Sequence, residues 1–267
     1  TNLYHTVMRR TLDYSVSFIN EQLIEFIDGF LLGDGSIYAS EGKTHVGRLT
    51  CSLEYEEFCT YLMGFLQSYV STVKKYNSNN MKQGFGFFGT SKFHPDIYKQ
   101  YQRWYKDGIK IVPNDVRITP LSLMVWYLGD GCLDSTSKNA IRIRLSTDGF
   151  DKKYVKLLCS KLSELGIFCH RTAYNRIYIK SKGVPAFFNF IGRKSPVKCY
   201  DYKFEVDEWR YDTIRMKEAA KLLNMDYQHL AYLVKIGKVP CYRLQCKGKP
   251  RFSKEHIEVI KNTQGEL

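Results

Sequence analysis

The sequence predicts an α+β protein made of two repeats, each running helix, two strands, helix, two strands, helix, with a small helical module behind them. Three observations carry this. Two apolar runs, FIDGFLLGDGS at 26–36 and LMVWYLGDG at 123–131, both end in Gly-Asp-Gly. Behind each lie segments of alternating apolar and polar residues. Near 209–212 the strand-like pattern gives way to short helical stretches. The expected domains are 1–115, 116–208 and 209–267.

In the first repeat, Glu21–Leu32 has apolar residues at 23, 24, 27, 30 and 31, the spacing of a buried helical face. A polar stretch, 36–43, is expected before the first clear strand, 47–53. In that strand Leu49, Cys51 and Leu53 face inward and Arg48, Thr50 and Ser52 outward. A second helix is predicted over 56–70, then a hairpin around NSNNMKQGFGFFG, then a helix over 95–104. The second repeat follows the same order. Pro120 sits in the first turn of a helix over 120–128, where its missing N–H costs nothing. Ile141–Ser146 alternates, with Arg142, Arg144 and Ser146 outward. A helix over 151–165 ends at Gly166, Arg176–Lys180 puts Arg176, Tyr178 and Lys180 outward, and a helix over 184–191 closes the unit.

The last module reads as a helix over 216–223 and a turn with Asp226 as N-cap. A second helix follows over 228–236, stopped by Gly237, then a basic two-strand segment, YRLQCKGKPRF, and a last helix from Ser253. This is a helix-turn-helix with a wing.

The 267 residues carry a net charge of +13, which suggests a polyanionic partner, nucleic acid above all. Residues 210–267 hold 12 Lys and Arg against 6 Asp and Glu. No apolar run is long enough to span a membrane, and neither a signal-peptide core nor an initiator Met is present at the start. The eight cysteines have neither disulfide-framework nor zinc spacing. They read as reduced, mostly core thiols in an intracellular protein, in the cytoplasm, nucleoid or an organelle and not secreted.

The Gly-Asp-Gly helices raise a chemical question. Gly29 and Gly33 lie four apart on one face, and Val125 and Gly129 hold the same offsets in the second copy. Glycine costs about 1 kcal/mol in a helix interior, and close approach of a second helix repays it. Two such helices side by side would bring Asp34 and Asp130 together at their negative C-terminal ends. A bound cation relieves that conflict, and carboxylates with carbonyls and waters suit Mg²⁺. One Gly-Asp-Gly alone reads better as a plain turn; two copies, each opening a repeated sheet unit, reverse the preference and favour the metal.

At these residues the chain resembles the LAGLIDADG homing endonucleases in their single-chain, two-motif form. The motifs fall on IDGFLLGDG (27–35) and LMVWYLGDG (123–131), and ITPLS (118–122) resembles the branch related to mitochondrial intron endonucleases. The resemblance spans 20–208. It implies two pseudo-symmetric αββαββα repeats forming a saddle-shaped antiparallel sheet on double-stranded DNA. It further implies a monomer that makes a site-specific double-strand break. One phosphodiester per strand would be hydrolysed across the minor groove, leaving 3′ overhangs, with two or three Mg²⁺ shared between the aspartates and the scissile phosphates.

By the resemblance, Asp34 and Asp130 are the catalytic metal ligands, and the carbonyls of Gly33 and Gly129 complete the shell. Lys110 in KIVPND and Lys203 in DYKF are expected to polarise the attacking water or stabilise the phosphorane. The sixth motif position, often acidic in the family, is Leu32 and Leu128 here. Asp28 is expected to cap or pair structurally.

The outward strand residues, with Arg171, are the expected DNA contacts. Residues 210–267 resemble the excisionase/MerR-type winged-helix domain. Tyr227, Gln228, His229 and Lys235 in the second helix, and Arg243, Lys247, Lys249 and Arg251 in the wing, are its expected DNA contacts. A non-cleaving DNA-binding regulator and an intron maturase bound to intron RNA are the alternative readings.

Overall fold

The computed structural model describes residues 19–40, 45–134, 141–206, 213–242 and 249–263. The chain folds as two compact units that divide between Gly129 and Asp130.

The first unit begins with α1 (Glu21–Leu32). Asn20 caps it, its side chain accepting the Leu23 N–H at 2.8 Å, and Glu21 suits the positive end of the helix dipole. Strands β1 (Ser36–Ser40), β2 (Val46–Leu53), β3 (Val70–Asn77) and β4 (Phe85–Ser91) form an antiparallel sheet in the order β1-β2-β4-β3. Helices α2 (Glu56–Gly64) and α3 (Pro95–Trp104) cover one face, α2 on β4 and β3, α3 on β2 and β1. A two-residue hairpin, β5 (Tyr105–Lys106) and β6 (Ile109–Lys110), follows α3, and α4 (Pro120–Asp130) ends the unit.

Two expectations are corrected here. Residues 36–40 form β1 and are not a polar connector, because Ile37 is buried while Ser36 and Tyr38 are exposed, the period of a half-buried strand. Helix α2 stops at Gly64 instead of running to 70. One 3₁₀ turn, Gln67–Tyr69, with Gln67 at φ 48°, reverses the chain so that Val70 opens β3.

The second unit carries β7 (Gly131–Asp134), β8 (Arg142–Leu145), β9 (Cys169–Arg171) and β10 (Ile177–Ile179), in the order β7-β8-β10-β9, the same pattern as the first sheet. Helix α5 (Lys152–Glu164) packs on β9, with Val155, Leu158 and Leu162 buried. It ends at Gly166, φ 75°. Helix α6 (Val184–Ile191) buries Phe187, Phe188 and Ile191.

Beyond it, β11 (Ile214–Arg215) pairs with β12 (Arg251–Phe252), and α7 (Met216–Leu222), α8 (Tyr227–Lys235) and α9 (Lys254–Thr263) enclose a separate core of Ala219, Leu230, Leu233, Phe252 and Ile260. Asp226 caps α8, accepting the N–H groups of Gln228 and His229. Ser253 and His256 cap α9 reciprocally. No disulfide joins the described cysteines; Cys51 and Cys59 are buried, and the other described cysteines are half-buried. No described helix is long and apolar enough to cross a membrane.

One buried carboxylate organises the first unit. Asp28, in the middle of α1, has no exposed surface. Its Oδ1 accepts from Arg103 Nη1 at 2.5 Å and Trp104 Nε1 at 3.1 Å, and its Oδ2 from Arg103 Nη2 at 3.0 Å and the Arg117 N–H at 2.8 Å. Burial by itself would lower the Arg103 pKa, but the hydrogen bonds and charges of Asp28 and Asp115 more than offset it and leave the guanidinium firmly charged. The structural role expected of Asp28 is thus what the fold shows. Asp28→Asn should remove the buried partner of Arg103, leave its charge only the exposed Asp115, and cost about 3–5 kcal/mol. Asp115→Asn, where the carboxylate is 73% exposed, should cost less than about 1 kcal/mol. Urea unfolding of the two variants makes the comparison.

Candidate functional site

At the end of α1, the Gly33 N–H returns to Gly29 O at 3.2 Å and the Gly35 N–H to Phe30 O at 2.8 Å. These bonds satisfy the last carbonyls of the helix. Asp34 stands between them, exposed, while Leu31–Gly33 and Gly35 are buried.

Lys110 is brought to this turn by the β5–β6 hairpin. Its Nζ donates to Leu31 O at 3.0 Å and Gly35 O at 2.7 Å, so the ammonium spans the turn that carries Asp34. The hairpin closes on Asp107 and Gly108, both at positive φ (52° and 75°), the two-residue turn that matches strand twist. Opposite Lys110 in the ladder is Tyr105, whose Oη accepts the Ile37 N–H at 3.1 Å. The hairpin therefore grips the turn on both sides of Asp34. Burial raises the Tyr105 pKa, and the Ile37 hydrogen bond acts against it.

Helix α4 packs backbone to backbone on α1. A Cβ on Gly29 would stand 2.2 Å from Ser122 O, so only glycine fits. A Cβ on Gly33 would meet nothing closer than 3.6 Å. On the α4 side, a Cβ on Gly129 would stand 3.1 Å from Asp34 Oδ2 and 3.2 Å from its amide nitrogen, so glycine there leaves the carboxylate its room. The start of α4 explains ITPLS. The Thr119 hydroxyl accepts the Ser122 N–H at 3.2 Å, Pro120 needs no partner in the first turn, and Ser122 Oγ donates to Arg117 O at 2.7 Å.

The outward face of the first sheet carries Arg48, Thr50 and Ser52, as expected. Arg48 lies over the rings of Tyr38 and Phe93, 5.3 and 4.9 Å from their centroids. Thr50 shares a hydroxyl bond with Ser36 at 2.8 Å, and Ser52 bonds the Tyr76 hydroxyl. Sequence reasoning missed the contribution of β3, whose Thr72 and Lys74 are in register with Thr90 and Phe88, themselves opposite Thr50 and Ser52. The adjacent Lys74 and Lys75 hide the alternation that would have revealed it.

In the second unit, Asp130 is half-exposed at the end of α4, and its carbonyl accepts the Ser146 N–H at 3.0 Å. Arg142 is exposed and Arg144 half-buried, with Arg144 opposite Tyr178 and Cys132. Lys180 is exposed. Arg171 does not share that face. Its ladder partner is the buried Ile177, while His170 is opposite Tyr178, and Arg171 Nη1 donates to Asn175 Oδ1 at 3.3 Å. Arg176 forms a two-bond pair with Asp148, at 2.7 and 3.0 Å, which holds the Asp148 carboxyl below its usual range. Lys203, at the end of the 3₁₀ helix Lys198–Lys203, is buried, its Nζ 4.3 Å from the centroid of the Tyr200 ring.

On α8, Tyr227, Gln228, His229 and Lys235 are exposed, opposite the buried Leu230, Leu233 and Val234. Lys249 is exposed. Arg251 is half-buried, its Nε and Nη2 donating to Thr213 Oγ1 and O at 3.1 and 2.7 Å. Arg243 and Lys247 lie outside the described residues.

The sequence profile of the LAGLIDADG DNA endonuclease family matches residues 24–187, the span that holds most of α1 and all of α4 and both four-stranded sheets. This chain belongs to that family. The uncharacterised protein MJ1098 of Methanocaldococcus jannaschii is 33% identical over 224 residues, 76% of this chain and 84% of that protein. The cytochrome b mRNA maturase bI2 of Debaryomyces hansenii is 28% identical over 158 residues, 54% of this chain and 56% of the maturase. Among solved structures, the LAGLIDADG fold recurs in the homing endonuclease I-WcaI bound to its DNA recognition sequence. That likeness has a TM-score of 0.64 at 21% identity and covers 72% of this chain and 89% of that one.

The helix pair gives a direct test. Gly29→Ala should strain the α1–α4 contact and lower stability by about 1–3 kcal/mol, read as a drop in Tm. Gly33→Ala should leave the melt close to wild type.

Proposed function

We propose that this chain is a site-specific, divalent-metal-dependent DNA endonuclease that cuts both strands of a long target across the minor groove and leaves 3′ overhangs. The observation that carries the reading is the Asp34 turn: an exposed carboxylate at the end of a buried helix, with the Lys110 ammonium bonded to the carbonyls on either side of it. Family membership supplies the reaction class.

The residues fit a hard cation. The exposed Asp34 carboxylate stands beside the last carbonyls of α1, and carboxylate and carbonyl oxygens, completed by water and phosphate, are the donors that Mg²⁺ prefers. Asp34, Asp130 and the carbonyls of Gly33 and Gly129 are the proposed ligands. When bound, the metal supplies Lewis acidity to the attacking water and the leaving oxygen. Lys110 and Lys203 are proposed to stabilise the charge that develops on the phosphate.

The outward faces of the two sheets are the proposed DNA contacts, led by Arg48, Thr50, Ser52, Arg142, Arg144, Tyr178 and Lys180. Arg176 and Arg171, engaged within the fold, contribute less. Residues 209–267 are proposed as a winged helix-turn-helix that adds contacts through the exposed face of α8 and the segment around Lys249. The maturase reading has its own support in the similarity to the yeast maturases.

Asp34→Asn and Asp130→Asn should each abolish double-strand cleavage while leaving DNA binding intact. Lys110→Met should slow cleavage by about 10²–10³-fold. A randomised duplex library, incubated with Mg²⁺ or with EDTA and sequenced at the cut ends, reads the activity. Binding without a cut in both conditions would favour the maturase or regulator reading instead.

A further inference from the structure

A cavity of about 300 Å³ opens in the C-terminal module where β11, β12 and the starts of α7 and α8 meet. Arg215, Lys217, Lys249 and Arg251 line it, together with Tyr227. All four charges are positive.

Two of them oppose each other directly. Arg215 and Arg251 are ladder partners in the β11–β12 pair, and like charges at that position are destabilising. Arg251 is held in place. Its Nε and Nη2 are bonded to Thr213, and its backbone N–H and C=O are both paired with Tyr242. Burial lowers its pKa, the charge of Arg215 lowers it further, and Glu218 acts against both. The Glu218 carboxylate is engaged with the Arg215 backbone N–H at 3.2 Å. The fold thus fixes one guanidinium, sets a second across from it, and leaves space between two lysines and an aromatic ring. The core of the module needs none of these cations, since it is made of Ala219, Leu230, Phe252 and their neighbours.

An anion relieves this repulsion, and a phosphodiester suits the pair: Arg215 can donate in parallel to two of its oxygens, while Arg251, with Nε and Nη2 bonded to Thr213, keeps Nη1 for one. We propose that the cavity is a clamp for one backbone phosphate of double-stranded DNA, with Arg215 and Arg251 as the paired donors, Lys217 and Lys249 flanking, and Tyr227 as the wall. The clamp rests on the reading of this module as DNA-binding, and it adds Arg215 and Lys217 to the contact residues. A phosphate contact positions the module without reading sequence.

The test uses the full chain, in EDTA to prevent cleavage, and a random-sequence duplex. Binding is followed by fluorescence anisotropy across a range of salt concentrations. Arg215→Gln with Lys217→Gln should weaken binding and make the salt slope shallower by about 0.9 for each phosphate that is no longer neutralised. Arg215→Lys with Lys217→Arg keeps both charges and should restore the slope. Lys261→Gln removes a cation from α9 and should leave the slope unchanged. Thermal melts confirm that each variant is folded, and Lys217→Gln alone, at an exposed position, should show the smaller loss in any case.

A folded double variant with the wild-type slope would overturn the clamp and leave the nuclease reading intact. Equal losses from Lys261→Gln would also overturn it, in favour of diffuse charge. A cavity-dependent slope with single-stranded RNA but not with the duplex would overturn the assignment to DNA. A wild-type chain that binds no duplex would overturn the clamp and the proposed function together.

Discussion

The first unit depends on a charge with no exposed surface. Burying a carboxylate costs several kcal/mol unless its oxygens are fully bonded and its charge is matched. Asp28 meets both conditions, with two donors on each oxygen and the Arg103 guanidinium alongside. Those donors come from the end of α3 and from the segment entering α4, so the requirement to satisfy one side chain ties two separate parts of the chain to α1.

The consequence runs along the helix pair. The Arg117 N–H binds Asp28, and the Arg117 carbonyl receives the Ser122 hydroxyl. Ser122 in turn presents the backbone that only Gly29 can accept. With that register set, Gly129 arrives beside the Asp34 carboxylate at the other end of the contact. The structural aspartate at the second motif position and the candidate catalytic aspartate at the eighth are thus two ends of one arrangement. One is buried and satisfied; the other is exposed and held between the carbonyls that Lys110 bridges.

Much of the fold was legible because its signals are local. The helical spacing of α1, the alternation in β2 and β8, the Asp226 cap and the stop at Gly237 each depend on a few neighbouring residues. The misreadings were local too. Strand β1 looked like a polar connector because only Ile37 and Ala39 interrupt its polar residues. Arg171 was expected among the DNA contacts, but Cys-His-Arg has no phase of its own, and pairing with β10 sets Arg171 opposite the buried Ile177. Of the candidate site, Asp34 and Asp130 stood out through their repeated Gly-Asp-Gly setting. Lys110 and Lys203 were reached only through the family resemblance. Tyr105, which holds the far side of the Asp34 turn, had no signal at all.

From the sequence came the repeated order of the helices, the strands with a clear alternation and the faces they bury, and the two aspartates at which to look. Tertiary structure alone decided what Asp28 binds, where Lys110 reaches, which arginines remain outward and which are spent on internal partners. The physical reason is range. Periodicity and capping act over a turn or a strand, whereas the partners of Asp28 and Lys110 lie 75 to 89 residues away along the chain. Hydrogen bonds of that separation are fixed only when packing brings the segments together.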